Sequence, residues 1–435
     1  MKTIRFERFI RKDEERLYFT LPFDVPENIE RMDIYYKYPR HASRTEDGVT
    51  YSDEINIIDL ALTAGNGEYV GASGSDRTHI AISAYESSQG YTPMPVVPGT
   101  WEIIVGAYKI ADEGVTVEYT IELTEKALRR FRGDTHTHTK GSDGELSSDA
   151  LVELCRQQHL DYVFITNHNN YSENFCLPRP SDMTVLPGTE WTHYNGHAGF
   201  LGVQRPYRTP FCVNAPEEAR ACIDEARANG AMIVINHPFC APECGWKWGF
   251  DLAPYDAVEV WNGALMLDNE NTACLDWWHN ELVKGRRIPV TGGSDFHRSR
   301  PLSLPGIPCT CVYAISRCPE DLIDALKRGH SYVKMDPDAP DVDVRAGDAL
   351  MGDCAPADAA VTAEFTGLRA GDTIRQITDR GAEERVCPPQ GRAITLTFRP
   401  DGERFVRYEV VRTLSRGLPP VRVLVSNPLY FATED

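Results

Sequence analysis

The sequence predicts an α/β barrel held between two all-β domains, and two observations carry that expectation. Period-two apolar alternation bounded by Gly and Pro fills residues 1–127 and returns over 337–435. Between them, over 128–336, apolar strands alternate with amphipathic helices, which favours a closed α/β barrel over an open sheet. At 435 residues the chain is long enough for two or three domains at about 150 residues each.

In the first region the strand signals are Ile55-Asn56-Ile57-Ile58, His79-Ile80-Ala81-Ile82, Trp101–Val105 and Val115–Ile121. Helical periodicity is weak there, so the reading is a β-sandwich. In the middle region Tyr162–Ile165, Met232–Ile235, Ala257–Val260 and Ile288–Val290 read as buried parallel strands. Helices are expected over about 148–159 with Ser147 or Ser148 as N-cap, over 216–229 with Pro in the first turn, over 269–284, and over 319–328 before Gly329. Asp336–Pro340 reads as a linker. Ala360–Phe365, Ala393–Phe398 and Val421–Val425 then suggest a small terminal sandwich.

Composition narrows the function classes. Forty-five basic against 64 acidic residues give a formal charge of −19, which opposes binding to a nucleic-acid polymer or an anionic membrane. A small anionic substrate is still compatible, because bound cations invert the local sign. The charged N-terminus lacks a secretory signal, and no run approaches the roughly 18 apolar residues of a membrane helix. With twelve scattered cysteines, this reads as reduced thiols in a cytoplasm. Cys240/Cys244 and Cys309/Cys311 are the only close pairs, and each admits a structural zinc site.

The chemistry lies in His and acidic residues at strand ends. Asp134-Thr135-His136-Thr137-His138 carries two His at i and i+2, which project from one side of an extended segment and reach one cation. Asp143 follows on the loop. His168 and His237 sit just past strands, Glu190 closes one, His197 opens the next, and Asp295 with His297 repeats the i, i+2 spacing. Active sites of α/β barrels lie at the carboxyl ends of the strands, where most of these donors fall. Nine nitrogen and oxygen donors exceed the needs of one metal, and two or three Zn, Mn or Fe ions would satisfy them. His41, His79, His159, His279 and His330 read as surface or packing residues. His193, between Glu190 and His197, is a candidate for touching substrate or donating a proton. Trp246, Trp248 and Trp261 are expected either as an aromatic wall or as core.

These motifs resemble the PHP superfamily, the polymerase and histidinol phosphatase metallohydrolases. Carrying residues are Asp134–His138, Ser142-Asp143-Gly144, Thr166-Asn167-His168, Pro187–Glu190 with Gly196-His197, Asn236-His237-Pro238 and Gly293–His297, in order, from Phe131 to about Lys334. The flanking segments Pro98–Trp101 and Ser426–Tyr430 look like the CehA/McbA-type branch, which includes aryl carbamate hydrolases. The resemblance implies a distorted (β/α)7 barrel and a di- or trinuclear site. It implies His136, His138, Glu190 and Asp295 around one ion, Glu190 bridging to a second held by His197 and His237, and Asp143, His168 and His297 around a third. Where the family usually has Thr-Asp-His, this chain has Asn167, a neutral residue in an orienting position; Asp134 is expected to orient its neighbours in a similar way.

The expected function is a metal-dependent phosphoesterase hydrolysing a small phosphate mono- or diester through a metal-bridging hydroxide. Lys140 and Arg298 are expected to anchor the substrate anion. Hydrolysis of a carbamate or carboxylic ester at the same centre is the alternative. A reading from another class makes the barrel a degenerate scaffold whose β domains bind a protein or glycan, and the full set of nine donors counts against it.

Overall fold

The structure, a computed structural model, describes residues 2–208, 212–240, 244–263, 269–415 and 417–432. The chain divides into two compact units, Met1–Ala127 and Leu128–Asp435.

The first unit holds two four-stranded antiparallel sheets. One orders Lys2–Ile10, Val115–Glu125, Ile29–Lys37 and His79–Ser83; the other orders Tyr18–Val25, Gly99–Lys109, Ile57–Thr63 and Tyr69–Ser73. Strict alternation in Val115–Glu125 turns Val117, Tyr119, Ile121 and Leu123 inward. They join Trp101, Met32 and Ile34 in one hydrophobic cluster fed by both sheets. The hairpin of His41–Glu46 and Val49–Glu54 stands apart, exposed along nearly its whole length, on an Asp47-Gly48 turn whose φ angles of 51° and 78° suit those two residue types.

The second unit is mixed α/β, with one large sheet and four α-helices among the described residues. Arg129–Asp134, Tyr162–Ile165 and Thr184–His193 run parallel, as do Met232–Asn236, Ala257–Asn262 and Val290–Gly293. The hairpin strand Gly196–Leu201 is antiparallel between the two sets. The parallel strands therefore end at one common rim. Helix Ser148–Gln157 starts at Ser147, whose hydroxyl accepts the Ala150 N–H. Pro319–Arg328 ends at Gly329 with φ 73°, the left-handed C-terminal stop that glycine adopts freely.

Two expectations change. The sheet does not close by backbone ladders among the described residues: Val290–Gly293 is an end strand. Side chains take the place of the missing ladder. Thr310 Oγ1 accepts the Gly292 N–H and donates to its carbonyl, and the Asn427 amide does the same for Val290. The segment 337–435 also departs from the separate domain expected there. Val421–Ser426 pairs with Ser331–Lys334 and extends the same sheet, and Val342, Phe365 and Val423 pack with Leu151, Val152 and Ile165 in one cluster. No helix of the described residues is long and apolar enough to cross a membrane.

The cysteines bring a third correction. Cys240 and Cys244 are joined by a disulfide, not held as two thiols. A turn in which the Cys240 N–H reaches the His237 carbonyl, and the Trp246 N–H reaches that of Pro238, brings their Cα atoms to 5.5 Å, within bridging range. The other ten cysteines form no disulfide, and Cys309 and Cys311 lie buried side by side on one strand with their sulfurs 3.9 Å apart.

Candidate metal centre

Chain geometry at the rim explains how distant residues meet. Past Arg129–Asp134 an isolated bridge from Thr137 to Phe296 holds the chain, and His136 and His138 on either side of it are both buried. Asp134 pins this segment: its carboxylate accepts the N–H groups of His136, Ser294 and Gly306, and burial pushes its carboxyl up to about 6. Glu190 lies inside Thr184–His193 rather than at its end, because pairing with Gly196–Leu201 carries the strand on to His193. A turn of that hairpin brings His197 back beside it. His237 and Asp295 leave their strands with φ of 27° and 51°, positive values that aim both side chains off the strand ends.

Glu190, fully buried, is the hub. Its Oε1 lies 3.2 Å from His136 Nε2, 3.1 Å from His197 Nδ1 and 3.1 Å from His237 Nε2. Oε2 lies 2.8 Å from His168 Nδ1 and 3.6 Å from His138 Nε2. Asp295 Oδ1 meets His138 Nε2 at 3.0 Å and His136 Nε2 at 3.4 Å. Further out, exposed Asp143 lies 3.2 Å from His297 and 3.5 Å from His168. All nine donors fall into overlapping groups with metal-ligand spacing: His136/His138/Glu190, His136/His237/Asp295, Glu190/His197/His237 and His138/Asp143/His168/His297. His138 joins the outer group as well as the inner one.

The donors fit divalent cations better than they fit one another. Buried His136 Nε2, both His138 nitrogens, Glu190 Oε2, Asp295 Oδ1 and His237 Nδ1 find no hydrogen-bond partner among the described residues. Such orphans are costly unless something satisfies them. No Lys or Arg pairs with Glu190 or Asp295 among the described residues, so protons on imidazoles must supply the positive charge. Burial would lower the His136 imidazole, but Asp295, Glu190 and Glu259 raise it well above its ordinary value, and His168 and His237 are raised chiefly by Glu190 against the same burial. His138 goes the other way, to about 4, because burial dominates. Neutral imidazoles and ionised carboxylates are the forms that bind metal.

Around the donors, Asn167 accepts from the Thr139 N–H, the Thr139 hydroxyl and the Ser142 hydroxyl, and donates to Glu173 Oε2 at 3.0 Å. It thereby holds the loop that carries Asp143, and its amide can face Glu173 where a carboxylate could not. Glu259, absent from the residues singled out above, is the acidic member of Ala257–Val260. A charge inside an otherwise apolar buried strand is the signal that could have revealed it. Its Oε1 lies 3.1 Å from His136 Nδ1.

The expected substrate residues are placed less centrally. His193 lines a cavity of about 420 Å³ beside His197, together with Asn169, Thr192, Tyr194 and Val213. Its Nε2 faces the Val213 carbonyl and its Nδ1 accepts the Asn195 N–H, so backbone occupies both nitrogens where a proton donor was expected. Lys140 is exposed, and Arg298 is turned toward Glu145 at 3.8 Å. The Trp248 ring lies tilted against His193 with centroids 4.9 Å apart, whereas Trp261 is core.

No protein-family model matches the chain. It is 27% identical over 216 residues to the DNA polymerase/3'-5' exonuclease PolX of Bacillus subtilis, a match covering 42% of this chain and 37% of that protein, so the chain spans little more than a third of that relative's length. Among solved structures, it is similar to a two-domain protein containing a predicted PHP-like metal-dependent phosphoesterase from Bacteroides vulgatus (15% identity, 69% of this chain and 96% of that one, TM-score 0.38). It is also similar to an amidohydrolase from Chromobacterium violaceum with bound sulfate and no metal (15% identity, 39% and 89%, TM-score 0.26). These two superpositions are too partial to bear on the assignment. The ordered donor motifs of the sequence, which resemble those of the PHP superfamily, are gathered around Glu190 in the structure.

Proposed function

We propose that the chain is a metal-dependent phosphoesterase of the PHP superfamily, acting on a small phosphate mono- or diester at a di- or trinuclear site. The observation that carries the reading is the buried Glu190 carboxylate, ringed by five imidazoles and without a Lys or Arg partner among the described residues. His136, His138, Glu190 and Asp295 would hold one ion, Glu190, His197 and His237 a second, and Asp143, His168 and His297 a third. Zn, Mn or Fe bound there would lower the pKa of water and offset charge on the ester oxygens. In this reading the sheet of the second unit is the family's distorted (β/α)7 barrel, its seam filled by Thr310 and Asn427. Lys140 and Arg298 reach the substrate by side-chain movement at the rim.

One observation favours hydrolysis of a carbamate or carboxylic ester, the CehA/McbA-type branch including aryl carbamate hydrolases. The described lining of the cavity beside His197 contains no Lys or Arg, and such a lining suits an uncharged leaving group. Metal-loaded protein assayed side by side on aryl phosphates, phosphodiesters and aryl carbamates separates the readings. Turnover of phosphate esters is expected; turnover of carbamates alone overturns the phosphoesterase reading.

A further inference from the structure

Glu259 is 2% exposed and stands inside Ala257–Asn262, a parallel strand that contributes none of the nine donors. Each of its oxygens is used. Oε1 accepts from His136 Nδ1 at 3.1 Å; Oε2 accepts the His237 N–H at 3.0 Å and the Asn262 amide at 3.0 Å. The same Asn262 amide lies 3.4 Å from Asp295 Oδ2. The space is reserved for this carboxylate: a Cβ on Gly293 would lie 2.6 Å from Glu259 Oε1 and 2.3 Å from His136 Cβ.

A carboxylate in these bonds can only accept, so His136 must carry a proton on Nδ1. In the neutral, metal-binding imidazole its Nε2, a buried orphan, then presents a lone pair between Glu190 and Asp295. Two carboxylate oxygens and a lone pair facing one point repel one another unless a cation sits among them.

We propose that Glu259 is a positioning residue that selects the metal-binding tautomer of His136 and, through the His237 backbone and Asn262, fixes three donors of the inner site at once. The inference rests on the metal-centre reading above. Glu259→Gln tests it closely. Gln keeps the shape and can still accept from His237 and Asn262, but its amide N–H would face His136 Nδ1. That reverses the tautomer and places a proton on Nε2, where the ion belongs.

Mn(II) and Zn(II) affinity is measured by competition with a chromophoric chelator, and ions per chain by elemental mass spectrometry, for wild type, E259Q and E259D. Expected is a loss of about 10- to 100-fold in affinity for one ion in E259Q, the size seen for such outer partners. The ion of the His138/Asp143/His168/His297 group should stay, and the melting temperature of the metal-free protein should change little. E259D, a carboxylate one methylene too short, should fall between. Equal affinities in wild type and E259Q overturn the proposal. So does parallel loss of every ion together with the fold, with E259D no better, which would make Glu259 merely structural. A wild-type chain that binds neither metal fails the metal-centre reading itself and takes this inference with it.

Discussion

Glu409, in a strand toward the C-terminus, and Asp372, just before another, are buried as deeply as Glu190 and Glu259 at the rim, yet their surroundings differ in kind. Glu409 is bonded by Arg407 at 2.7 Å, Arg422 at 2.9 Å and Arg375 at 3.1 Å, and Asp372 is gripped by Arg412 through two parallel bonds. Among the described residues no guanidinium or ammonium pairs with Glu190, Glu259 or Asp295; their partners are imidazoles and amides. Where the buried charge is part of the frame, the chain supplies a permanent cation. At the rim it supplies only groups that can lose their proton, which leaves room for a cation from outside.

Replacing the hub should break this contrast most. Glu190→Gln is expected to lower metal affinity and hydrolysis by more than about 100-fold, since it removes an inner donor where outer partners already cost that much. Elemental analysis and turnover check it, and retained ions would place the hub elsewhere. Glu409→Gln should leave metal content untouched and lower the unfolding free energy by about 3–5 kcal/mol, because three guanidiniums lose their buried carboxylate. Urea unfolding with and without added metal reads both effects.

Acid titration sharpens the comparison. Burial would raise the Glu409 carboxyl, but Arg407 and Arg422 bring it down to about 2, below its unfolded value of about 4.3. Its stabilisation, about 3 kcal/mol, is present above the unfolded value and lost as pH falls toward 2. The gap between wild type and E409Q should close over that window. At the rim the sign reverses. His136, His168 and His237 are raised, so the metal-free cluster is stabilised fully below about pH 6.5 and loses that stabilisation as pH rises through the shifted values. Melting temperatures with and without Mn(II) should therefore diverge as pH rises past about 6.5, and divergence at pH 5 would count against the account. The smallest effect is Gly293→Ala, expected to cost about 1–3 kcal/mol by crowding His136 against Glu259, with calorimetry as the check.

Much of the rim is legible in the primary chain because its signals are local. His136/His138 and Asp295/His297 declare themselves by i, i+2 spacing, and His168 and His237 by their places after apolar runs. What stays hidden depends on partners far along the chain. Glu259 stands out only as a charge in an apolar strand, and its role depends on His136, 123 residues earlier. The open seam is invisible for the same reason, since Asn427 fills it from 137 residues downstream of Val290. Arg407 and Glu409, two apart on Phe405–Arg412, are both buried, with the Arg407 guanidinium over the Trp278 ring. The Cys240–Cys244 bond is local, yet the scattered spacing of the other cysteines argues against any disulfide.

Ions per chain, counted by elemental mass spectrometry on protein reconstituted with Mn(II) or Zn(II) and freed of excess metal, test the central claim most directly. Two or three are expected in wild type, with at most one left in E190Q. A wild-type chain that holds none, with the fold intact, would contradict the account.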